Sequence, residues 1–369
     1  MVDVFFKHSS YVAADLGDTI SDVMDGAGGD RIQPGSRVLI KPNLLLPAGP
    51  EKGITTHPLI VRSVVEYVLA KGARPLVSDS PGMGSFEKIL RKGGYLDAMK
   101  GLDVECRPFR DAVRVDIGKP FGTIELARDA LQSDFVINLA KLKTHAQMLL
   151  TLGVKNLFGC VIGLKKPKWH LKAGSDRAMF ARLLVQIARA VNPDITIIDG
   201  ITAMEGQGPG RSGAPRELGL IAGSRDAYAL DMTICKVLGL DPDTLRTHSV
   251  AKELGLLPEN INLKGRFHVV DDFDFPDVGT LLMGPKMLQG VMRRNIIQKP
   301  VVDNKVCKLC GECWRYCPVK AITHHIKGIR FNYDTCIRCY CCLEICPHGA
   351  IRMKEPLLGK LVRPYLGSE

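Results

Sequence analysis

Two cysteine runs near the C-terminus have a spacing that suits iron–sulfur chemistry. Each run places two, two and three residues between successive cysteines, and a proline follows the last one. In bacterial ferredoxins such runs bind four-iron clusters through their thiolates, and the fourth cysteine of each run ligates the other cluster. The runs hold eight of the twelve cysteines: Cys307, Cys310, Cys313 and Cys317, then Cys336, Cys339, Cys342 and Cys346.

The spacing predicts two [4Fe–4S] clusters with crossed ligation. Zinc also accepts sites of four cysteines, but zinc sites rarely need two interlocked runs of this kind. Cys341 lies off the spacing and is interpreted as a spectator, and the three cysteines outside the runs (Cys106, Cys160, Cys235) as small buried apolar residues. One predicted ligand set is Cys307, Cys310, Cys313 and Cys346, and the other is Cys336, Cys339, Cys342 and Cys317.

Polar residues that follow predicted strands form a second group of candidates, in the first 284 residues. Ligands of an open parallel sheet bind beyond the carboxyl ends of its strands, so these side chains are predicted to line one cleft. Lysines there would attract a carboxylate or phosphate, and a histidine can transfer protons near neutral pH. The catalytic candidates are His145, His57, Lys143 and Asp79, and the binding candidates are Lys41, Asn43, Lys141, Lys155, Asn156 and Glu205.

Two further segments are less specific. The basic run 165–170 fits a solvated loop as well as it fits a binding site. Residues 208–213 match G-x-G-x-x-G, but Ala214 and Pro215 follow where a phosphate-binding helix would begin. The sequence therefore argues against dinucleotide binding at this loop.

The elements that must position these residues alternate between strands and helices. Apolar runs predict strands at 37–40, 76–78, 135–139, 195–198 and 218–222, and amphipathic patterns predict helices at 58–71 and 178–191. This order predicts an α/β domain with a mostly parallel sheet and helices on both faces. The predicted domains are the α/β domain at 1–284, a connecting helix at 285–300 and a small α+β ferredoxin-like domain at 301–369, whose repeat predicts pseudo-twofold packing.

Composition and charge narrow the classes of protein further. The 369 residues are 46% hydrophobic and 24% charged, without an apolar run of transmembrane length or a recognisable export signal, so we expect a cytoplasmic protein without a membrane span. The net charge is +11, and the segment from residue 285 onward holds 15 Lys and Arg against 6 Asp and Glu. This basic tail predicts an acidic partner such as a ferredoxin or flavodoxin, whereas nucleic acid is disfavoured because no recognised binding motif is present.

The residues that follow the strands resemble the domain-of-unknown-function 362 family of iron–sulfur proteins. The resemblance implies an α/β domain fused to a two-cluster ferredoxin and implies no substrate. The segment from strand 135–139 to His145 is also similar to part of the nickel-pincer lactate racemases, which suggests a polar, anion-accepting cleft. The segments that carry the first resemblance are 41–43, 56–58, 78–81, 141–145, 154–159, 199–200 and 205–208.

Three functions are compatible with these features. The first is an oxidoreductase in which the clusters pass low-potential electrons to an anionic substrate, or to an unidentified second cofactor, in the α/β cleft. The second is a non-catalytic electron-transfer or adaptor subunit that docks an acidic redox partner. The third is a redox-sensing nucleic-acid binder, which the sequence supports least.

Overall fold

A computed structural model describes residues 1–163, 165–174, 176–276, 295–326 and 328–362. The first of its two domains is built on one large sheet. The strands before residue 277 are β1 (Val2–His8), β2 (Arg37–Pro42), β3 (Arg74–Val77), β4 (Glu105–Cys106), β5 (Ala112–Asp116), β6 (Thr123–Ala127), β7 (Phe135–His145), β8 (Leu149–Thr151), β9 (Ile195–Gly206), β10 (Gly213–Ser224) and β11 (Ile261–Lys264).

The large sheet has the order β11-β1-β10-β9-β7-β2-β3-β4, and β8 pairs with the end of β7. Strands β9, β7, β2, β3 and β4 run parallel to one another, whereas β10 runs antiparallel to both β9 and β1, and β8 runs antiparallel to β7. Strands β5 and β6 form a separate hairpin. The prediction of a mixed α/β fold with a mostly parallel sheet is confirmed.

Helices cover both faces of this sheet, as the sequence predicts. They are α1 (Ala13–Gly26), α2 (Pro58–Ala70), α3 (Phe86–Lys92), α4 (Tyr95–Ala98), α5 (Arg128–Gln132), α6 (Gly153–Asn156), α7 (Lys165–Ala173), α8 (Arg177–Val191), α9 (Ala227–Val237) and α10 (Arg246–Glu253). Alternate strand residues point to opposite faces: Val38 and Ile40 pack in the core with α1 and α2, whereas Leu39 packs in the core with α8.

Capping residues explain where the two predicted helices begin and end. The His57 side chain accepts a hydrogen bond from the backbone N–H of Leu59 at the start of α2, and Pro58 occupies the first turn, where its missing N–H costs nothing. Asp176 accepts from two backbone N–H groups at the start of α8. Asn192 ends α8 in the left-handed conformation, with φ of 45°.

Three predicted strands are longer than their apolar runs. β2 continues through Lys41 to Pro42, β7 continues through Lys143 to His145, and β9 continues to Gly206. The expectation that these lysines and His145 follow the strands is therefore wrong. They lie within the strands, because partners elsewhere in the fold satisfy their polar atoms.

The second domain repeats one small unit. Its elements are β12 (Lys299–Val302), α11 (Glu312–Arg315), β13 (Ile322–His325), β14 (Gly328–Phe331), α12 (Cys341–Glu344), β15 (Ile351–Lys354) and α13 (Leu357–Val362). Elements of the first half recur in the second half 29 residues later, so that α11 corresponds to α12 and β13 to β15. Strand β12 pairs with β15 and β13 pairs with β14, each antiparallel, as expected of two halves related by a pseudo-twofold axis.

The predicted connecting helix at 285–300 lies mainly outside the described residues, which resume at Asn295. Its last two residues, Lys299 and Pro300, belong to strand β12 and not to a helix. Among the described helices, none combines the length and the apolar character that a membrane crossing requires.

Candidate functional site

The two cysteine runs adopt the same loop conformation. Residues at three equivalent positions in the two runs have positive φ, which turns each loop tightly: Leu309 and Arg338, Gly311 and Tyr340, Lys320 and Gly349. In each half a backbone N–H four residues after the fourth cysteine donates to that cysteine's sulfur. Ala321 N lies 3.2 Å from Cys317 Sγ, and Ala350 N lies 3.3 Å from Cys346 Sγ.

These loops bring the eight cysteines of the runs to two cavities. Each cavity is lined by the first three cysteines of one run and the fourth cysteine of the other. Among the described side chains, no three His, Cys, Asp or Glu converge as ligands of a single ion. One cavity is lined by Cys307, Cys310, Cys313 and Cys346, and the other by Cys317, Cys336, Cys339 and Cys342, with Cys341.

A third cavity, of about 110 Å³, lies between the two domains. The α/β domain forms most of its wall, at the carboxyl ends of β2 and β3 and on α6 and α7, where an open sheet is expected to bind ligands. The second domain, which contains the two cysteine runs and is called the cluster domain below, closes it with Tyr316, Cys341, Glu344 and Ile345. The polar wall residues of the α/β domain are Asn43, Asp79, Ser80, Thr151, Lys155, Asn156, Lys166 and His170.

Lys41 and Asp79 form a buried ion pair at the cavity wall. Lys41 Nζ lies 3.0 Å from Asp79 Oδ1, and the backbone N–H of Leu44 donates to Asp79 Oδ2 over 2.9 Å. A Cβ added at Gly159 would lie 2.3 Å from Asp79 Oδ1 and 2.6 Å from Lys41 Nζ, so only glycine fits against the pair. Asp79 reaches the cavity, whereas the Lys41 charge is already neutralised by the protein.

Lys141 is held in a second buried network. Its Nζ donates to Asp199 Oδ2 over 2.7 Å and to the Tyr11 hydroxyl over 2.9 Å, and that hydroxyl donates to Asp199 Oδ1 over 2.7 Å. The backbone N–H of His57 also donates to Asp199, and the His57 ring stacks on Tyr11 with centroids 3.6 Å apart. Burial lowers the pKa of His57 to about 4. Neither Lys141 nor His57 lines the cavity.

Lys143 is buried among neutral acceptors. Its Nζ donates to Asn43 Oδ1 over 2.7 Å and to the Ile54 carbonyl over 2.6 Å. Burial, and then the nearby Lys155 charge, hold its pKa well below the ordinary lysine value. Asn43 in turn donates to Asn156 Oδ1 over 2.9 Å, so Lys143 orients the two asparagines that line the cavity.

His145 joins the two domains. Its Nδ1 accepts hydrogen bonds from the backbone N–H groups of Gln147 and Met148, each over 3.1 Å, which leaves the proton on Nε2. Nε2 lies 2.8 Å from Glu344 Oε1 in helix α12. Burial lowers the pKa of His145 to about 4, so the ring is neutral at pH 7 and donates to the ionised Glu344.

Two lysines and a histidine face the cavity more directly. Lys155 makes no ion pair within the described part of the chain. Its pKa lies below the ordinary lysine value, because the lowering by burial exceeds the raising effect of the nearby Glu344 charge. Lys166 Nζ donates to Ser80 Oγ over 3.0 Å, and burial lowers its pKa to about 8. His170 stacks on Phe180, and burial lowers its pKa to about 4.

The structure thus brings only some of the predicted site residues together. Asp79, Asn43, Lys155 and Asn156 line the cavity. The remaining candidates do not line it: Lys41, Lys141, Lys143, His57 and His145 support its walls or neighbouring elements, and Glu205 lies in β9 near Arg216.

Sequence reasoning missed the contributions of α7 and the cluster domain. Lys166 and His170 belong to the run that fits a solvated loop equally well. Glu344 and Cys341 lie inside the second cysteine run, whose spacing indicates only the proposed ligands. One sequence feature could have indicated this region: Cys341 is an additional cysteine that breaks the regular spacing. In the structure it is buried and lines the cavity.

Two known families match separate segments of the chain. Residues 38–236, more than half of the chain, match the family described as "Domain of unknown function (DUF362)". The chain belongs to the DUF362 family. Residues 299–347 match the "4Fe-4S dicluster domain" family.

The chain has one relative that matches over most of its length and others that match a short segment. A thylakoid-associated protein of Synechocystis sp. is 40% identical over 279 residues, which are 74% of this DUF362 chain and 87% of that protein. The delta subunit of the NADH-dependent phenylglyoxylate dehydrogenase of Aromatoleum evansii is 43% identical over 54 residues, 15% of this chain and 58% of that subunit. Pyruvate synthase subunit PorD of Thermotoga maritima is 39% identical over 61 residues, 16% of this chain and 60% of that subunit.

The solved structures that match include the lactate racemase apoprotein of Thermoanaerobacterium thermosaccharolyticum, with a TM-score of 0.41 and 12% identity, over 64% of this chain and 57% of that chain.

The match to the dicluster family and the relatives of the C-terminal segment make this DUF362 protein an iron–sulfur protein of the electron-transfer type. Its cluster domain packs against the α/β domain.

Proposed function

We propose that this DUF362 protein is a cytoplasmic oxidoreductase that reduces a small anionic compound in the interdomain cavity. One observation carries the proposal: Cys341 lines both the interdomain cavity and the cavity of the second cysteine set. A compound in the interdomain cavity would therefore lie against a residue that also lines the cavity of that set. Such closeness favours electron transfer between them.

Two [4Fe–4S] clusters are the proposed cofactors. The first would be held by Cys307, Cys310, Cys313 and Cys346, and the second by Cys336, Cys339, Cys342 and Cys317. When bound, such clusters supply single electrons, commonly at low potential. The crossed cavities and the backbone N–H groups directed at Cys317 and Cys346 support these ligand sets.

The charges around the interdomain cavity favour an anion. The Lys41 and Asp79 charges cancel within their ion pair, and Glu344 accepts from neutral His145. Lys155 and Lys166 together outweigh the one remaining carboxylate. Because both lysines are partly withdrawn from water, this excess positive charge would bind a carboxylate or phosphate more strongly than a surface lysine does.

Lys166 is the proposed proton donor. A pKa of about 8 leaves it mostly protonated at pH 7 and close to the working pH, which is the range that suits general acid catalysis. His145 and His57 are less suitable, because each already uses Nδ1 as an acceptor within the protein and neither lines the cavity. Asn43 and Asn156 would position the bound compound through their amides.

A second function is supported by the relatives of the cluster domain. The phenylglyoxylate dehydrogenase and pyruvate synthase proteins that it matches are subunits by name. In this alternative the chain transfers electrons within a larger assembly and does not itself turn over a substrate. The cavity would then be a structural space between the domains.

A reoxidation screen separates the two functions. The protein is reduced anaerobically, and small carboxylic acids and phosphates are tested for reoxidation of its visible absorbance. We expect at least one of these compounds to reoxidise the protein. The rate of its turnover should fall at least tenfold in Lys155→Ala and in Lys166→Ala, because each variant removes a positive charge from the cavity. Lys168→Ala is the matched control, since Lys168 is an exposed lysine of the same helix α7.

Each outcome of the screen decides between the functions. Turnover that the two cavity variants leave unchanged would contradict the proposed site. Reoxidation by a protein partner alone would support the electron-transfer subunit.

A further inference from the structure

The two cysteine loops differ in exposure although their backbones match. Leu309, in the first loop, is 44% exposed, and its neighbours Lys308 and Cys310 are also exposed. At the equivalent positions of the second loop, Arg338 is 7% exposed and Cys339 is 8% exposed. The pseudo-twofold relation of the domain is therefore broken at its surface.

Packing against the rest of the protein explains the difference. The Tyr340 hydroxyl, in the second loop, donates to the Gln298 carbonyl over 2.9 Å. The helix that follows, α12, carries Cys341 and Glu344 into the interdomain cavity. The first cysteine set consequently has the more solvent-exposed loop, and the second set lies on the cavity side.

Basic residues accompany the apolar side chain of Leu309 in and beside the exposed loop. We call this surface the Lys308 face and define it as Lys305, Lys308, Leu309, Cys310 and Arg315. Lys305 and Lys308 are exposed and Arg315 has a side-chain exposure of 67%, with its Nη1 3.5 Å from Glu312 Oε1. A Cβ at Gly311 would lie 3.4 Å from Arg315 Nε, which places Arg315 beside the loop.

The charge of the whole C-terminal segment also favours an acidic partner. From residue 285 onward it holds 15 Lys and Arg and 6 Asp and Glu. Two oxidised clusters of about −2 each would still leave the segment at about +5. The sequence of this segment thus favours the attraction of a negatively charged protein.

We propose that the Lys308 face is the docking site of an acidic one-electron carrier protein of the ferredoxin class. The carrier would lose one electron to a cluster held by Cys307, Cys310, Cys313 and Cys346, without a proton or a bond being exchanged. A cluster held by the second cysteine set would receive its electrons through the first. This route depends on the proposed cluster ligation but not on any reaction in the cavity.

A binding measurement tests the docking site without catalysis. Oxidised plant-type [2Fe–2S] ferredoxin, an acidic carrier, is titrated calorimetrically into the oxidised protein at low salt. We expect Lys305→Glu with Lys308→Glu to weaken binding at least tenfold, and high salt to weaken wild-type binding similarly. The control pairs Lys52→Glu with Lys100→Glu, two exposed lysines of the α/β domain, and should bind as wild type does.

Reduction rates provide the second measurement. Stopped-flow reduction by the reduced ferredoxin should slow at least tenfold in the Lys308-face variant, whereas reduction by the methyl viologen radical cation should not slow, because that donor is positively charged. Iron content confirms that the variant keeps its clusters. Equal losses in the face and control variants, or no wild-type binding while viologen still reduces the protein, would overturn the docking site. Failure of the cavity screen alone would leave both measurements unaffected.

Discussion

Buried lysines in the central strands of this protein serve mainly to position other groups. Lys41 and Lys141 each pair with a carboxylate from a neighbouring part of the sheet, and Lys143 donates to neutral acceptors. Removing one member of such a pair would leave an uncompensated buried charge, which typically costs about 3–5 kcal/mol. The charges available to a ligand are instead those of Lys155 and Lys166.

Residue types alone could indicate a polar site but not these pairings. Lys41, Asp79, Lys141 and Asp199 are all visible in the sequence, and their places at the ends of apolar runs predicted that they would meet. Which lysine faces a carboxylate depends on strand order and on the glycine at position 159. Neither can be read from local pattern.

The pH dependence of the free energy of unfolding tests whether His57 is buried in its neutral form. The folded protein holds its pKa at about 4, below the ordinary value of 6.5. Between these values the unfolded chain binds a proton that the folded chain does not, so the free energy of unfolding decreases as the pH falls from about 6.5 to 4. The slope for one such group is at most about 1.4 kcal/mol per pH unit.

The variant His57→Asn keeps a helix-capping acceptor but cannot titrate in this range. We expect its free energy of unfolding, measured anaerobically with denaturant at several pH values, to fall less steeply than that of wild type over this window. His145 and His170, with pKa values also near 4, retain their share of the slope. Parallel profiles for the two proteins would show that His57 titrates normally.

At the level of secondary-structure elements, the cysteine loops are the most predictable part of the chain. Their spacing repeats, their positive-φ positions repeat, and the helices α11 and α12 that follow them correspond. The large sheet was predictable where strands are apolar throughout. The ends of these strands were not predictable, because a buried lysine resembles a loop residue in the sequence until its partner is known. Strand β1 was not predicted either, because its sequence is too short and mixed to indicate a strand.

Cysteine substitutions test the proposed ligand sets loop by loop. Cys310→Ser and Cys339→Ser should each remove about half of the visible absorbance and iron, because each belongs to a different cavity. Cys341→Ser should remove neither, since Cys341 lies off the repeat and points to the interdomain cavity as well. Equal losses in all three variants would contradict the assignment.

Across the whole molecule, the contact between the domains depends on small residues and on one polar pair. The loop between β9 and β10 lies against both domains: a Cβ at Gly208 would lie 2.4 Å from the Thr144 carbonyl oxygen, and one at Gly210 would lie 2.9 Å from the Glu344 carbonyl oxygen. The G-x-G-x-x-G match is therefore a packing feature between domains. The sequence argues against a dinucleotide there but could not indicate this role.

Glu344 tests the contribution of the polar pair. Glu344→Ala would leave the buried His145 Nε2–H without an acceptor and should lower the free energy of unfolding by about 1–3 kcal/mol. Glu344→Gln keeps an acceptor oxygen and should cost less. Hydrogen exchange of the peptides that line the cavity reports whether the domains separate more easily. The control is Glu312→Ala, which removes the surface ion pair between Glu312 and Arg315 in α11. Identical exchange in the Ala variant and the control would contradict this role.

The antiparallel pairing of β12 with β15 affects how the protein is made. Lys299 lies opposite Lys354, so the first strand of the cluster domain gains its partner only after residue 354 has left the ribosome. By then the strands of the large sheet, the last of which ends at Lys264, have already emerged. Synthesis thus releases every strand of the large sheet before β12 can pair with β15.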